Sequence, residues 1–337
     1  MPIAALGRSR FWRAAALYFL AMPIAWLGGC AFIAPQAEAL REHWPAGLND
    51  RVELSAVPFF AQDDYQCGPA ALATLMAHRG LATTPETLVP QVYLPARQGS
   101  LQIEMLAAPR AAGLVTLTLA PQLNAVLREV QAGNPVIVLQ DLGLWPVAYW
   151  HYAVVFGFER EQAHGLALLR SGLKPRVELP LPVLEISWRS GQRWAMVAMP
   201  PERVAATATE TQWLAAVHAM EGAGAPAKAA RSGYASALTR WPASINAAIA
   251  LANVDYGQGA LADAETVLRQ ALQHDPRSAP VLNNLAQVVS DLGRHGEALA
   301  LLDRALAEQG PFQAAALATR DAISARLNGA PQRAAPN

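Results

Sequence analysis

The stretch Gln62-Asp63-Asp64-Tyr65-Gln66-Cys67-Gly68-Pro69-Ala70-Ala71-Leu72 sets a lone thiol where an extended, polar segment gives way to an apolar run. Proline is tolerated in a first helical turn, where its missing N–H costs no hydrogen bond, and Leu72, Leu75 and Met76 follow at helical spacing. A helix with one buried face is therefore predicted from this point to near Gly80, with Cys67 at its start. The positive end of the helix dipole lowers the pKa of a thiol in that position and favours the nucleophilic thiolate. Lying between Gln66 and Gly68-Pro69, Cys67 is badly placed as an apolar filler and reads as a nucleophile.

Upstream, Arg8, Arg10 and Arg13 precede the apolar run Ala14 to Leu27, which ends in Leu27-Gly28-Gly29-Cys30. A basic start, an apolar middle and small residues at a cut are the layout of a secretory signal. The tetrapeptide resembles the bacterial lipobox, which implies that residues 1–29 are removed and that Cys30 carries lipid. By the sorting rule of such lipoproteins, Ala31 rather than Asp after the cysteine sends the chain to the periplasmic side of the outer membrane. Ala31, Phe32 and Ile33 also extend the apolar character toward spanning length, so an uncleaved anchor is the alternative. The chain has two cysteines, and with Cys30 lipidated Cys67 has no disulfide partner. A leftover thiol in a secreted protein points to reactivity.

The 26 basic residues balance the 26 acidic ones, so nothing argues for a nucleic-acid partner. The histidines are scattered, no cysteine pair is available for zinc, and no glycine-rich phosphate loop occurs, so neither metal nor cofactor is called for. Residues 30–51, with Pro35, Pro45 and Gly47, suit a tether. Residues 52–203 alternate helical and strand patterns. Further helices are predicted from Thr84-Pro85, over Ser100 to Ala112 and over Pro121 to Ala132. Strands are predicted over Val115 to Leu119, Val136 to Leu139, His151 to Phe158, Leu166 to Arg170 and Arg193 to Met199. Helices early and antiparallel strands late give an α+β fold.

From about residue 204 to 330 the pattern changes. Ala252, Gly259, Ala264, Leu268, Ala271 and Leu272 recur 34 residues on as Ala286, Gly293, Ala298, Leu302, Ala305 and Leu306. Ala230, Tyr234, Ala237, Leu238 and Pro242 continue the register backwards as a degenerate copy, and Phe312 to Leu327 reads as a closing helix. The period resembles that of tetratricopeptide repeats, which implies an all-α solenoid whose concave face holds a protein partner; a solenoid that only props or dimerises the enzyme is the alternative. Residues 331–337 are expected to be a disordered tail.

Acyl transfer by cysteine needs a base for the thiol proton, donors for the oxyanion and a group that holds the base. His151 opens a β-type apolar strand, where a titratable ring is otherwise out of place, and a strand is a rigid mount. Gln62 donates without titrating and precedes Cys67 by five residues; Gln66 is adjacent, but its side chain points away from its neighbour's. Trp145, Tyr149, Trp150 and Tyr152 bracket His151 and suit either a groove wall or ordinary core.

A glutamine before Cys67-Gly68-Pro69-Ala70-Ala71-Leu72, followed by His151-Tyr152-Ala153-Val154-Val155-Phe156-Gly157-Phe158, resembles the papain-like cysteine peptidases that remove double-glycine leaders from bacteriocins. The resemblance covers roughly residues 57–172. It implies an α+β papain-like fold, with Cys67 as nucleophile, His151 as base and Gln62 in the oxyanion hole. Its fourth member, an Asp that orients the histidine, is missing. Pairing the strands about a turn near Glu161 sets Ser171 opposite His151, and Asp141 at the end of the preceding strand is the other candidate. A lipid-anchored cysteine peptidase acting on a peptide or protein substrate is the expectation. The alternatives are a thiol transpeptidase or acyltransferase, and an inactive peptidase-like adaptor.

Overall fold

The computed structural model describes residues 34–62, 66–144, 146–161 and 164–328. The signal sequence, Cys30 and the tail from residue 331 lie outside the described residues. The chain divides into two units, Met1–Met105 with Thr118–Val197, and Leu106–Leu117 with Ala198–Asn337.

The first unit contains α1 (Pro35–Glu42), β1 (Arg51–Glu53), α2 (Cys67–His78) and α3 (Pro85–Val92). Then come α4 (Gln102–Ala111) and β2 (Val115–Thr118), which straddle the division, and α5 (Leu123–Gln131). The rest is β3 (Val136–Asp141), β4 (Trp150–Glu159), β5 (Leu166–Ser171), β6 (Lys174–Pro180), α6 (Leu181–Ser190) and β7 (Ala195–Met199), whose last two residues fall in the second unit. Five strands lie in the order β7-β3-β4-β5-β6, each pair antiparallel. β4 is the spine, pairing with β3 along Trp150 to Val155 and with β1 along Gly157 to Glu159. Its Val154, Val155, Phe156 and Phe158 are buried, each worth about 1.5–3 kcal/mol.

Helix α2 is buried all round from Gly68 to Met76 rather than on one face. No charged residue occurs between Cys67 and His78, and a helix apolar on every side belongs inside a core. Thr84 and Thr87 form a capping box at the start of α3.

The stretch expected as a tether is folded onto the unit instead. Ala37 and Leu40 of α1 are buried, as is Leu48. The Ala37 N–H donates to Oε2 of the buried Glu185 at 2.8 Å. Gln36 accepts from the Leu123 N–H at 2.7 Å and donates to the Pro121 carbonyl at 3.0 Å. The partners that fix this segment are at least 82 residues away along the chain, so no local pattern announces them. β6 and α6 carried no sequence signal either. Two prolines and three charges in Lys174–Pro180 disguise a strand, and that composition is tolerated because β6 lies at the end of the strand order.

From residue 198 onward the second unit is helical: α7 (Glu210–Gly222), α8 (Ala227–Arg240), α9 (Ile245–Gly257), α10 (Leu261–His274), α11 (Ala279–Asp291), α12 (His295–Ala307) and α13 (Gln313–Leu327). Ile245, Ala279 and Gln313 start α9, α11 and α13, and Leu261 and His295 start α10 and α12, an offset of 34 residues each time. The degenerate copy is a full helix pair, α7 and α8. Trp213, fully buried, donates from Nε1 to the Gly233 carbonyl at 2.8 Å. Gly233 permits that approach, since a Cβ there would lie 2.8 Å from a Val217 methyl. Leu268, Leu285 and Leu302 fill the core between Ala264, Ala286 and Ala298, whose small side chains let paired helices come close.

Candidate active site

Cys67 is the first residue of α2, after Gln66 at the N-cap, and its side chain is half-buried. Burial pushes its thiol pKa up, against the pull of the backbone N–H groups of Tyr152, Gly68 and Cys67 itself. The helix start therefore does not produce a resting thiolate: desolvation of the charged form outweighs the dipole.

His151, on β4, is 7 % exposed. Its Nε2 lies 2.8 Å from Ser171 Oγ, and among the described residues its Nδ1 makes no hydrogen bond. Burial holds the imidazole pKa down to about 4, so the ring is neutral at pH 7. With Nε2–H donating to Ser171, Nδ1 presents a lone pair, the form that takes a proton.

Ser171 reaches the ring by a register different from the expected one. β5 pairs Leu166 with Glu159 and Leu168 with Gly157, then slips at a bulge around Phe156 so that Arg170 faces Val154. Continued one residue, Ser171 comes beside Ala153, two positions along from His151 and on its face. Without the bulge the serine would turn to the opposite face, because a one-residue slip inverts a strand. Asp141 is engaged elsewhere: its Oδ1 accepts from the N–H groups of Gly143 at 3.0 Å and Tyr149 at 2.9 Å. Of the two candidates left open by the sequence, Ser171 meets the imidazole, and Asp141 ties down the loop between β3 and β4.

Gln62 is held by its backbone N–H on the Gly172 carbonyl at 3.3 Å, and its Nε2 reaches the Tyr152 carbonyl at 3.5 Å. Gln62, Cys67, His151 and Ser171 all line one groove of about 1000 Å³. Gln66 is not part of that lining. Tyr149 and Trp150 do form wall, whereas Tyr152 is mostly core, edge-on to Trp194 at 5.7 Å with its hydroxyl donating to the Ser100 carbonyl at 3.3 Å. Trp145 lies outside the described residues. The wall formed by Ser100 to Ile103 was not foreseen, since it reads as an ordinary helix start. It also explains the glycine after Cys67: a Cβ at Gly68 would lie 2.3 Å from Ser100 Oγ.

Residues 255–320 match the tetratricopeptide repeat family model. No curated protein matches the chain. Among solved structures, a proposed C39-like peptidase from Bacillus anthracis is similar with a TM-score of 0.38 at 16% identity, over 47% of this chain and 100% of that one.

The tetratricopeptide segment is cross-tied at a spacing of 35 residues, one more than its sequence period. Tyr256 donates to Asp291 at 2.5 Å and Arg326 to the same carboxylate at 2.6 Å, joining α9, α11 and α13. On the other side of α9, Arg231 pairs with the fully buried Asp255 at 2.5 Å.

Proposed function

We propose that this chain is a cysteine peptidase that hydrolyses peptide bonds through a thioester, held by lipid on Cys30 at the periplasmic face of the outer membrane. The observation that carries the reading is one groove lined by both Cys67 and a His151–Ser171 hydrogen-bonded pair. The signal-like N-terminus ending in Leu27-Gly28-Gly29-Cys30 supports the anchoring, and the tetratricopeptide match supports a protein partner or substrate on the repeats.

The pair starts neutral, so attack and proton transfer go together. Sγ of Cys67 bonds to the carbonyl carbon while its proton passes to Nδ1 of His151, and Ser171 steadies the imidazolium through Nε2. The oxyanion meets the Cys67 N–H and the Gln62 amide. Collapse breaks the C–N bond as His151 returns the proton to the leaving amine. Water then attacks the thioester with His151 again as base, the C–S bond breaks, and the thiol is restored. An amine in place of that water turns the same intermediate into a transpeptidase or acyltransferase product.

One observation favours an inactive scaffold. A hydroxyl rather than a carboxylate stands on His151, and it brings no charge to an imidazolium. An epoxysuccinyl peptide separates the readings. In an active enzyme it alkylates Cys67 rapidly, and His151→Ala slows the labelling about a hundredfold. Comparison of periplasmic peptide termini between cells with the wild-type chain and cells with Cys67→Ala then identifies hydrolysis by new termini or transfer by new amide adducts. Equal labelling with and without His151 would sink the enzyme.

A further inference from the structure

The groove has an apolar lip that hydrolysis itself does not require. The nine residues Leu142 to Trp150 contain no charged side chain. Between β3 and β4 the described residues of this stretch fold back on one another, with the Leu142 N–H on the Tyr149 carbonyl at 2.8 Å and a bridge between Leu144 and Val147. Asp141 closes its base through two backbone N–H groups, and Gly143 is so tightly enclosed that a Cβ there would lie 2.0 Å from the Val147 carbonyl oxygen. A segment fixed this firmly has no need of an oily tip for its own folding. Yet Leu144 is 88% exposed and Val147 71%.

Also lining the groove, Ile103 is 69% exposed, and Leu101 is exposed beside it in the chain. At the end marked by Ser171 and Gly172, the next residue, Leu173, is 76% exposed. Leu101, Ile103, Leu142, Tyr149 and Trp150, all exposed, line the groove together with Cys67, and a concentration of this kind marks a binding surface. The groove lining adds a charge rule. Among the described residues no carboxylate lines it, and Arg97, whose side chain makes no ion pair among them, is their one permanent charge.

We infer that the lip formed by Leu142, Leu144, Val147, Tyr149 and Trp150 selects its substrate: an extended polypeptide segment with apolar side chains and without basic ones. The inference rests on the peptidase reading for the fate of the bound segment, but the binding preference stands apart from the chemistry. An apolar segment lying against the lip and Leu101/Ile103 removes their side chains from water, a lysine finds no carboxylate among the described wall residues, and a glutamate has Arg97 within the same groove.

The test uses the full chain carrying Cys67→Ala, so that no turnover intervenes, and three fluorescein-labelled twelve-residue peptides, acetylated and amidated. They share a Ser/Gly framework and carry Leu, Lys or Glu at the same four positions. Fluorescence anisotropy is expected to give a Kd for the Leu peptide at least about tenfold below that of the Lys peptide, with the Glu peptide between them. Adding Leu144→Asp and Val147→Asp is expected to weaken the Leu peptide about tenfold, in protein whose thermal midpoint confirms that it is folded. Equal affinities for the Leu and Lys peptides, or a double variant that keeps the Leu preference, would overturn the inference. So would binding of phosphatidylethanolamine/phosphatidylglycerol vesicles through the lip with no preference among peptides. If the peptide preference holds while the epoxysuccinyl label is indifferent to His151, the peptidase reading has failed and the selective groove survives.

Discussion

His151 titrates low because it is buried with a hydroxyl for company, and that has consequences for both stability and rate. Its folded pKa of about 4 lies below the unfolded imidazole value, near 6.5. Between those two values the unfolded chain holds a proton that the folded chain does not, so stability falls as pH is lowered through that window and is full above it. The gap corresponds to about 3 kcal/mol, and urea denaturation at pH 4.5 and pH 7 is expected to show much of that difference in the wild type and little in His151→Gln. Under the proposed peptidase mechanism, catalysis is expected to follow the same titration. The base stays unprotonated down to about 4, so the acid limb of kcat/KM is expected near pH 4 rather than near 6.5. Ser171→Asp sets a carboxylate against Nε2, which favours the imidazolium and moves the limb upward. Ser171→Ala releases the ring and slows turnover roughly tenfold, the worth of one hydrogen bond. A pH–rate profile that ignores residue 171 would show that the 2.8 Å contact does not orient the base.

At the scale of elements, the loop between β3 and β4 depends on a glycine for space. An alanine at Gly143 would bring its Cβ within 2.0 Å of the Val147 carbonyl oxygen and 2.6 Å of the Tyr149 nitrogen, and neither backbone atom yields easily. Gly143→Ala is expected to cost about 1–3 kcal/mol and to open the loop, read as a lower thermal midpoint together with weaker binding of the Leu-substituted peptide. An unchanged midpoint would mean that the loop tolerates another shape. Elements with strong local patterns were legible. The apolar run of β4, the thiol at the head of α2 and the Thr84-Pro85 start of α3 all appear within a residue or two of their expected places. Those fixed from a distance were not. α1 is pinned by Glu185 and by the start of α5, and β6 is a strand because β5 lies beside it, not because of its own residues. The meeting of Ser171 with His151 was foreseen with the wrong register. Two-residue periodicity preserved the face, and only coordinates reveal the bulge at Phe156 that makes the parity work.

For the chain as a whole, the 34-residue period was the most legible feature, because each repeat must present the same small and large residues to its neighbours. What the period hides are the polar ties between one pair and the next. Asp255 is fully buried on α9, and its partner Arg231, on α8, comes from the copy whose sequence had decayed. A solenoid is held by nearest-neighbour interfaces, so a buried charge at such a joint makes cohesion there depend on its counter-ion. Arg231→Ala leaves the carboxylate desolvated and alone, and is expected to cost about 3 kcal/mol, with the helical signal in far-UV circular dichroism melting earlier in urea. Replacing both partners, as Arg231→Met with Asp255→Leu, removes the charge together with its need for a partner and is expected to recover most of that loss. If Arg231→Ala instead falls within about 0.5 kcal/mol of wild type, water solvates the Asp255 carboxylate once the guanidinium is gone, and the first helix pair is joined to the array by its apolar contacts alone.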